Sequence, residues 1–330
     1  MYFIHIKINK EYFYNGGIDL KKLYIVIIGL VICAIGIVIF FKFKNNSLDE
    51  TLKEAKSMNS YQLVCDMEMT QNDELKSYEV KVDYLKKDKQ KYYRVELYDK
   101  SLNQSQIIIK NKKGVYVLTP TLNQMFKFQS DWPENSPKPY IYHYLIQVEA
   151  KVKYPNDTRI VKQEVIFDKK LKPLIVLCLD QDETEIVTCK VNEFHKNKNF
   201  KEKHFNQNQA LKESKKDVKT SANNDVLYPV SLLGAKLESE TVSSIEGDKN
   251  HILKFSGDKS FTMVETQVND QQVMQFSNDE VIDLIDGFAY YQPGKLSMMY
   301  HGMMCSLYSQ DLTKEEMLSV MTSMQTSSTK

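Results

Sequence analysis

Cysteine, tryptophan, glycine and proline are scarce in this chain: 330 residues hold 5 cysteines, 1 tryptophan, 11 glycines and 8 prolines. No CxxC pair and no short, even cysteine spacing occurs, so neither a zinc knuckle nor a dense disulfide framework is indicated. Cys65, Cys178, Cys189 and Cys305 read as buried thiols, with Cys178 and Cys189 flanking a hairpin turn closely enough to meet. No P-loop, GxSxG or HExxH motif is present. The 6 histidines, at positions 5, 143, 195, 204, 251 and 301, fall on unlike elements without ligand spacing. An excess of charge of either sign is also missing. With 44 basic against 43 acidic residues the net charge is +1, which removes the electrostatic footprint of a nucleic-acid binder. These absences predict no catalytic residues, no metal and no cofactor.

One long apolar run is present. Leu23–Phe41, LYIVIIGLVICAIGIVIFF, carries no charge, and at about 1.5 Å per helical residue it matches a hydrocarbon core of about 30 Å. A cleaved signal peptide is the rival, but its apolar region is about 7–15 residues long and ends in a small-x-small site, which Phe40-Phe41-Lys42 does not offer. Cys33 lacks the small residue a lipobox needs before it. The expectation is therefore a single-pass anchor behind a cytoplasmic tail (1–22). Lysines at 7, 10, 21 and 22 against 42 and 44 place the following domains outside the cytoplasm, at the cell membrane.

Beyond the anchor, strand patterns dominate. Tyr61–Met69 and Tyr78–Tyr84 alternate, so Leu63, Cys65, Met67, Tyr78, Val80 and Val82 share one face. The stretch Tyr92–Pro133 reads as four short strands in an antiparallel meander, with breaks at Asn111–Gly114 and Thr119-Pro120. A capping box at Ser47 opens a helix to Met58, Tyr140–Gln147 reads as a short helix, and strands resume at Arg159–Asp168, Leu174–Asp180 and Glu185–Phe194. The acidic turn at Asp180, Asp182, Glu183 and Glu185 reads as a solvated hairpin tip, since a calcium loop needs glycine and regular ligand spacing. Residues 196–225 are polar and read as a linker. From Val226 a second unit shows strand patterns at Ile252–Phe255, Phe261–Glu265, Val281–Ile285, Phe288–Tyr291, Leu296–Tyr300 and Ser306–Tyr308. A capping box at Thr313 starts its last helix.

The phrases at Gln104–Leu118, FQSDWP at Phe128–Pro133, VKYPN at Val152–Asn156 and FDKKLKP at Phe167–Pro173 resemble the LolA-like lipoprotein-carrier superfamily. They are closest to its outer membrane lipoprotein-sorting and germination-lipoprotein versions. The resemblance spans roughly residues 47–200 and implies a strongly curved, unclosed antiparallel half-barrel with helices over an apolar mouth. The family brings no catalytic residues. It implies a hold on a lipid or lipoprotein acyl chain; the germination lipoproteins bind a cell-wall amidase, and two-domain relatives act on anti-sigma factors. Arg94 matches an arginine that recurs in the family's third strand. The connection from Tyr140–Gln147 to Val152 is short for the family, which implies a trimmed cover over the mouth. Lys254–Glu265, Gly287–Tyr291 and Tyr308–Met324 are similar to a small domain of unknown function in membrane-anchored proteins.

The expected fold is α+β, mostly β: a LolA-like domain (47–195) and a smaller α+β domain (226–330). The expected apolar binding face comprises Tyr61, Leu63, Met67, Tyr78, Val80, Val82, Tyr93, Tyr116, Phe126, Phe128 and Trp132, though a packed core explains these residues equally well. Arg94 is the candidate polar group, in a cavity or in a cross-strand ion pair. The expected function is a membrane-anchored binding protein for a lipid, a lipoprotein acyl chain or an apolar partner segment. The alternative is a scaffold or envelope regulator that binds a cell-wall enzyme or a regulatory membrane protein.

Overall fold

The structure, a computed structural model, describes residues 50, 52–71, 74–100, 104–120, 124–128, 131–134, 137–146, 154, 157–214, 226–245, 248–267, 280–300 and 303–326. The expected anchor, Leu23–Phe41, lies outside these residues, and no described helix is long and apolar enough to cross a membrane.

The alternating stretches become strands. β1 (Ser60–Gln71), β2 (Glu74–Lys87), β3 (Gln90–Asp99), β4 (Gln104–Asn111), β5 (Gly114–Thr119) and β6 (Gln124–Phe128) follow one another as an antiparallel meander. Asp88 and Lys89, both at positive φ (51° and 65°), make the two-residue turn between β2 and β3, a geometry whose twist matches that of the flanking strands. β7 (Lys162–Phe167), β8 (Pro173–Leu179) and β9 (Glu185–Lys196) form a second meander, and β9 pairs with β1. The product is one open sheet in the order β6-β5-β4-β3-β2-β1-β9-β8-β7.

Register decides which residues meet. Leu63 faces Val82, Cys65 faces Val80 and Met67 faces Tyr78, and all six are 0–6% exposed. Over this face pack Ala55 of α1 (52–57), Tyr142 and Leu145 of α2 (Tyr142–Leu145), and Trp132, Tyr140, Ile146 and Tyr154 from the connections. Tyr61, Tyr84, Tyr142 and His143 sit with ring centroids 4.4–6.3 Å apart. Burial there pushes the His143 imidazole down to about 4, so it is neutral at pH 7.

The stretch expected as a polar linker folds in part. Glu202–Phe205 is a 3-10 turn and α3 (Gln207–Ser214) follows it. Phe205 is buried, and Ala210 and Leu211 cover Ile107, Ile109, Tyr116 and Leu118 on the outer face of the sheet. The physical reason lies in β4 and β5. Ile107-Ile108-Ile109 and Val115–Leu118 do not alternate, so both faces need cover, and a few apolar residues on an otherwise polar helix supply it. No disulfide joins Cys178 to Cys189; both are buried free thiols.

The second unit has β10 (Leu227–Pro229) paired with β18 (Met324–Thr326), and a seven-stranded sheet. That sheet comprises β11 (Ala235–Ile245), β12 (Asp248–Gly257), β13 (Phe261–Gln267), β14 (Glu280–Asp283), β15 (Phe288–Gln292), β16 (Lys295–Tyr300) and β17 (Met303–Tyr308). Its order is β11-β12-β13-β17-β16-β15-β14. In α4 (Lys314–Thr322), Thr313 and Glu316 form the expected capping box, and Met317, Val320 and Met321 pack on Leu253, Phe255 and Met263. Edge strand β11 goes beyond the expected pattern, because its sequence AKLESETVSSI is mostly polar and both its faces are largely exposed.

The two units share a core. Ile285, Phe288 and Tyr290 of the second unit belong to the apolar cluster of the first sheet. Truncating Ile285 opens a cavity at this junction, so Ile285→Ala is expected to cost about 2–5 kcal/mol. Urea unfolding followed by far-ultraviolet circular dichroism measures it; a loss below about 0.5 kcal/mol, the level of an ordinary surface substitution, would mean the junction is not part of the core.

Candidate binding site

A cleft of about 470 Å³ opens where the two units meet. Three elements of the first unit contribute: Met69 and Gln71 at the end of β1, Pro137 and Lys138 before α2, and Asp157–Arg159 before β7. From the second unit come Ile282 and Asp283 of β14, the turn Leu284–Asp286, and the face of α4 that carries Leu318, Ser319 and Thr322.

Local hydrogen bonding holds the walls. Arg159 donates from Nε and Nη2 to the two carboxylate oxygens of Asp157, at 2.9 and 2.7 Å, and from Nη1 to the Thr70 carbonyl at 2.8 Å. That bidentate pair keeps Arg159 above its ordinary pKa and ties the loop to β1. Lys138 is 2% exposed and crosses the junction: its Nζ donates to Asp283 Oδ1 at 2.5 Å and to the Leu284 carbonyl. Tyr140 Oη donates to the Ile285 carbonyl at 2.9 Å, and Tyr78 Oη to Asp286 Oδ2 at 3.0 Å. Burial disfavours the charge on Lys76, but Asp286, 3.7 Å away, together with Tyr300 and Asp99 outweighs that and raises its pKa. Lys314 pairs with Glu280 and lies over the Tyr291 ring.

The cations lining the cleft are thus matched to carboxylates, which leaves no concentrated charge for a small anion. Its remaining surface mixes partly exposed, apolar Leu318 with the hydrogen-bonding side chains of Gln71, Thr158 and Ser319, over buried Met69 and Ile282. Such a wall suits a polypeptide better than an acyl chain. Nothing in it is poised as a nucleophile. The nearby Cys178 thiol is buried, and that burial pushes it up to about 12. Among the described residues, no group of three or more His, Cys, Asp or Glu side chains is arranged to hold a metal.

The residues expected to form a binding face are separated. Tyr61, Leu63, Met67, Tyr78, Val80, Val82, Tyr93 and Trp132 lie together inside one core, covered by the chain itself. Tyr116 sits on the opposite face, opposite Ile109 and under α3, because β5 presents alternate residues to opposite sides. Phe126 is buried against Met304 and Tyr290 of the second unit. Phe128 ends β6, and its side chain lies outside the described residues. Arg94 makes ion pairs on the outer face, to Glu96 at 2.6 Å and to Glu213 of α3 at 3.1 Å. None of the cleft residues is among those expected binding residues. The short connection after Tyr140 is the one sequence signal that points toward this end of the sheet.

A second buried polar cluster lies in the other sheet. Glu265 is 2% exposed and accepts from the Leu227 backbone N–H at 3.2 Å. His251 donates or accepts at Glu240 Oε1 (2.9 Å), with its Nδ1 3.8 Å from Glu265 Oε2. Burial, and secondarily the charge of Glu240, push the Glu265 carboxyl up to about 7.

The chain is 33% identical over 309 residues to sporulation protein YdcC of Bacillus subtilis (strain 168), a match covering 86% of this chain and 90% of that protein. No protein-family model matches it. Among solved structures, the MucA/MucB complex of Pseudomonas aeruginosa overlaps at 13% identity and TM-score 0.29, over 86% of this chain and 98% of that one. An uncharacterized conserved protein from Thermus thermophilus overlaps at 17% identity and TM-score 0.32, over 48% and 92%. Overlaps at these scores carry no argument about function or partner.

The Glu265 environment has a consequence for stability. A carboxyl whose folded pKa is raised favours the protonated fold, so its contribution is complete below about 4.5 and is lost as pH rises through about 7. Glu265→Gln is therefore expected to flatten the fall in urea midpoint between pH 5 and pH 8, and an unchanged slope would show that the carboxyl is already ionised at pH 5.

Proposed function

The chain belongs to the family of sporulation protein YdcC, and from that premise we propose that it is a non-enzymatic envelope scaffold holding an extended segment of a protein partner between its two sheets. Leu23–Phe41 anchors it in the cell membrane, with both folded units outside the cytoplasm. The partner is of the kind the LolA-like resemblance implies, a cell-wall enzyme or a regulatory membrane protein.

One observation carries this reading: the apolar face that would receive a lipid is filled by the protein's own side chains, whereas the cleft between the units is open. Tyr61, Leu63, Val80 and Val82 are 0% exposed, so an acyl chain would have to displace Trp132, Tyr140 and Tyr142 to reach them. The cleft demands no such displacement. Among the described residues β14 is an edge strand of the second sheet with a strand partner on one side only, and strand addition would pair its other side. Leu318, partly exposed on α4, offers an apolar anchor beside it.

Photo-crosslinking in native membranes tests the reading. With a photoreactive amino acid in place of Thr158, irradiation is expected to give a discrete protein adduct, whereas the same group at Val242 on β11 gives none. Leu318→Arg is expected to reduce the Thr158 adduct by about tenfold, the effect of removing one central interface contact. A stoichiometric lipid retained by the purified chain in native mass spectrometry, with no adduct at Thr158, would replace the scaffold with an acyl-chain carrier.

A further inference from the structure

The formal charge of +1 hides an uneven distribution of charge along the first sheet. Three hairpin turns and the exit of β9 lie at one end of it. The β2–β3 tip carries Lys86, Lys87 and Lys89, the β4–β5 tip Lys112 and Lys113, and the β7–β8 tip Lys169 and Lys170. Beyond β9 come Lys198, Lys201 and Lys203. Specific contacts draw these segments together. Glu202 binds Lys87 at 2.8 Å and Lys112 at 3.1 Å, and Lys196 Nζ donates to the Lys170 carbonyl at 3.1 Å. Glu202 neutralises only part of the charge. Lys86, Lys89, Lys113, Lys169, Lys198 and Lys201 are exposed, and none has a carboxylate partner among the described residues. At the opposite end the β8–β9 turn carries Asp180, Asp182 and Glu183, of which Glu183 pairs with Lys162 at 2.9 Å.

The basic end is also where the chain arrives from its amino-terminal segment. α1 leads directly into β1, and the Lys86 N–H donates to the Asn59 carbonyl at 2.6 Å, which places this entry beside the β2–β3 tip. Only residues 42–49 separate the apolar run from the first described residue, a span of at most about 28 Å fully extended. The entry into β1 and the lysines therefore lie at the same end of the sheet.

We propose that the lysine-rich end of the nine-stranded sheet rests on the phosphate-bearing surface of an anionic phospholipid membrane, which orients the cleft away from the bilayer. The inference rests on the anchored topology proposed above. Ammonium groups on exposed tips gain from a negative surface without burying any apolar area, and their attraction falls off within a Debye length. The other end, where lysines and carboxylates are paired and Asp182 is exposed, lacks this attraction, so one orientation is selected over its reverse.

The test uses the full chain reconstituted in vesicles of phosphatidylcholine, alone or with phosphatidylglycerol, and a membrane-impermeant amine reagent read lysine by lysine by mass spectrometry. In anionic vesicles Lys89, Lys113, Lys169 and Lys198 are expected to label at least about fivefold more slowly, the factor corresponding to one lysine contact with an anionic surface, and to recover in 1 M salt. Lys236 and Lys249, exposed on the second sheet, should label equally in both vesicles. The triple variant K89E/K113E/K169E should abolish the protection of Lys86 and Lys198. Equal labelling of the basic tips in both vesicle types overturns the proposal, as does equal protection of Lys236 and Lys249. Protection by soluble poly(glycerol phosphate) but not by vesicles reassigns the surface to a cell-wall polymer and equally overturns it. Alkaline carbonate separates the two readings: a chain stripped from both vesicle types refutes the anchor, whereas a retained chain with unprotected tips refutes only the basic face.

Discussion

Covering the apolar face of the nine-stranded sheet is the constraint on which the rest of the structure depends. A single sheet leaves one face of β1, β2 and β3 wet, and that face is rich in tyrosine, methionine and valine. The first unit covers most of it with α1, α2 and the turn around Trp132, and the second unit adds Ile285, Phe288 and Tyr290. Because the cover is shared, the two sheets are bound by a core and not merely by a tether. Lys138 then becomes explicable: its buried ammonium satisfies Asp283 and the Leu284 carbonyl at a junction where an unpaired polar group would be costly.

The same constraint bears on function. A face already filled with protein is a poor receptacle for an acyl chain, and the accessible surface moves to the seam between the units. That seam inherits its chemistry from the elements that close it. Turn and loop residues bring backbone polarity, α4 brings an amphipathic face, and β14 brings an edge that pairs with no other described strand. The ion pairs at Arg159–Asp157 and Lys314–Glu280 hold these walls and match the cleft's cations to carboxylates. In the proposed scaffold role, selectivity would come from shape and backbone pairing.

Charge is organised on a larger scale than any of these pairs. Lysines collect at the turns of one end because antiparallel connectivity returns alternate hairpins to the same side. β2–β3, β4–β5 and β7–β8 all turn there, while β8–β9 turns at the opposite end. A chain that is nearly neutral overall in this way gathers exposed lysines at one end of its first sheet.

Much of this was legible in the residues. Period-2 alternation located β1 to β3 and placed Leu63, Cys65, Met67, Tyr78, Val80 and Val82 on one face, because side chains two apart on a strand must share a side. The Thr313–Glu316 spacing marked the start of α4, because capping is local. What lay beyond reach was long-range. The pairing of β9 with β1, the burial of α3 on Ile107 and Ile109, and the cleft itself each join segments far apart in sequence. Polar β11 and the weakly apolar α3 carry too little periodic signal to be seen in isolation, since their stability comes from the neighbours they pair with or cover. Local sequence determined the elements and their faces. Tertiary structure alone decided which faces met, because apolar surface specifies that it must be covered but not by what.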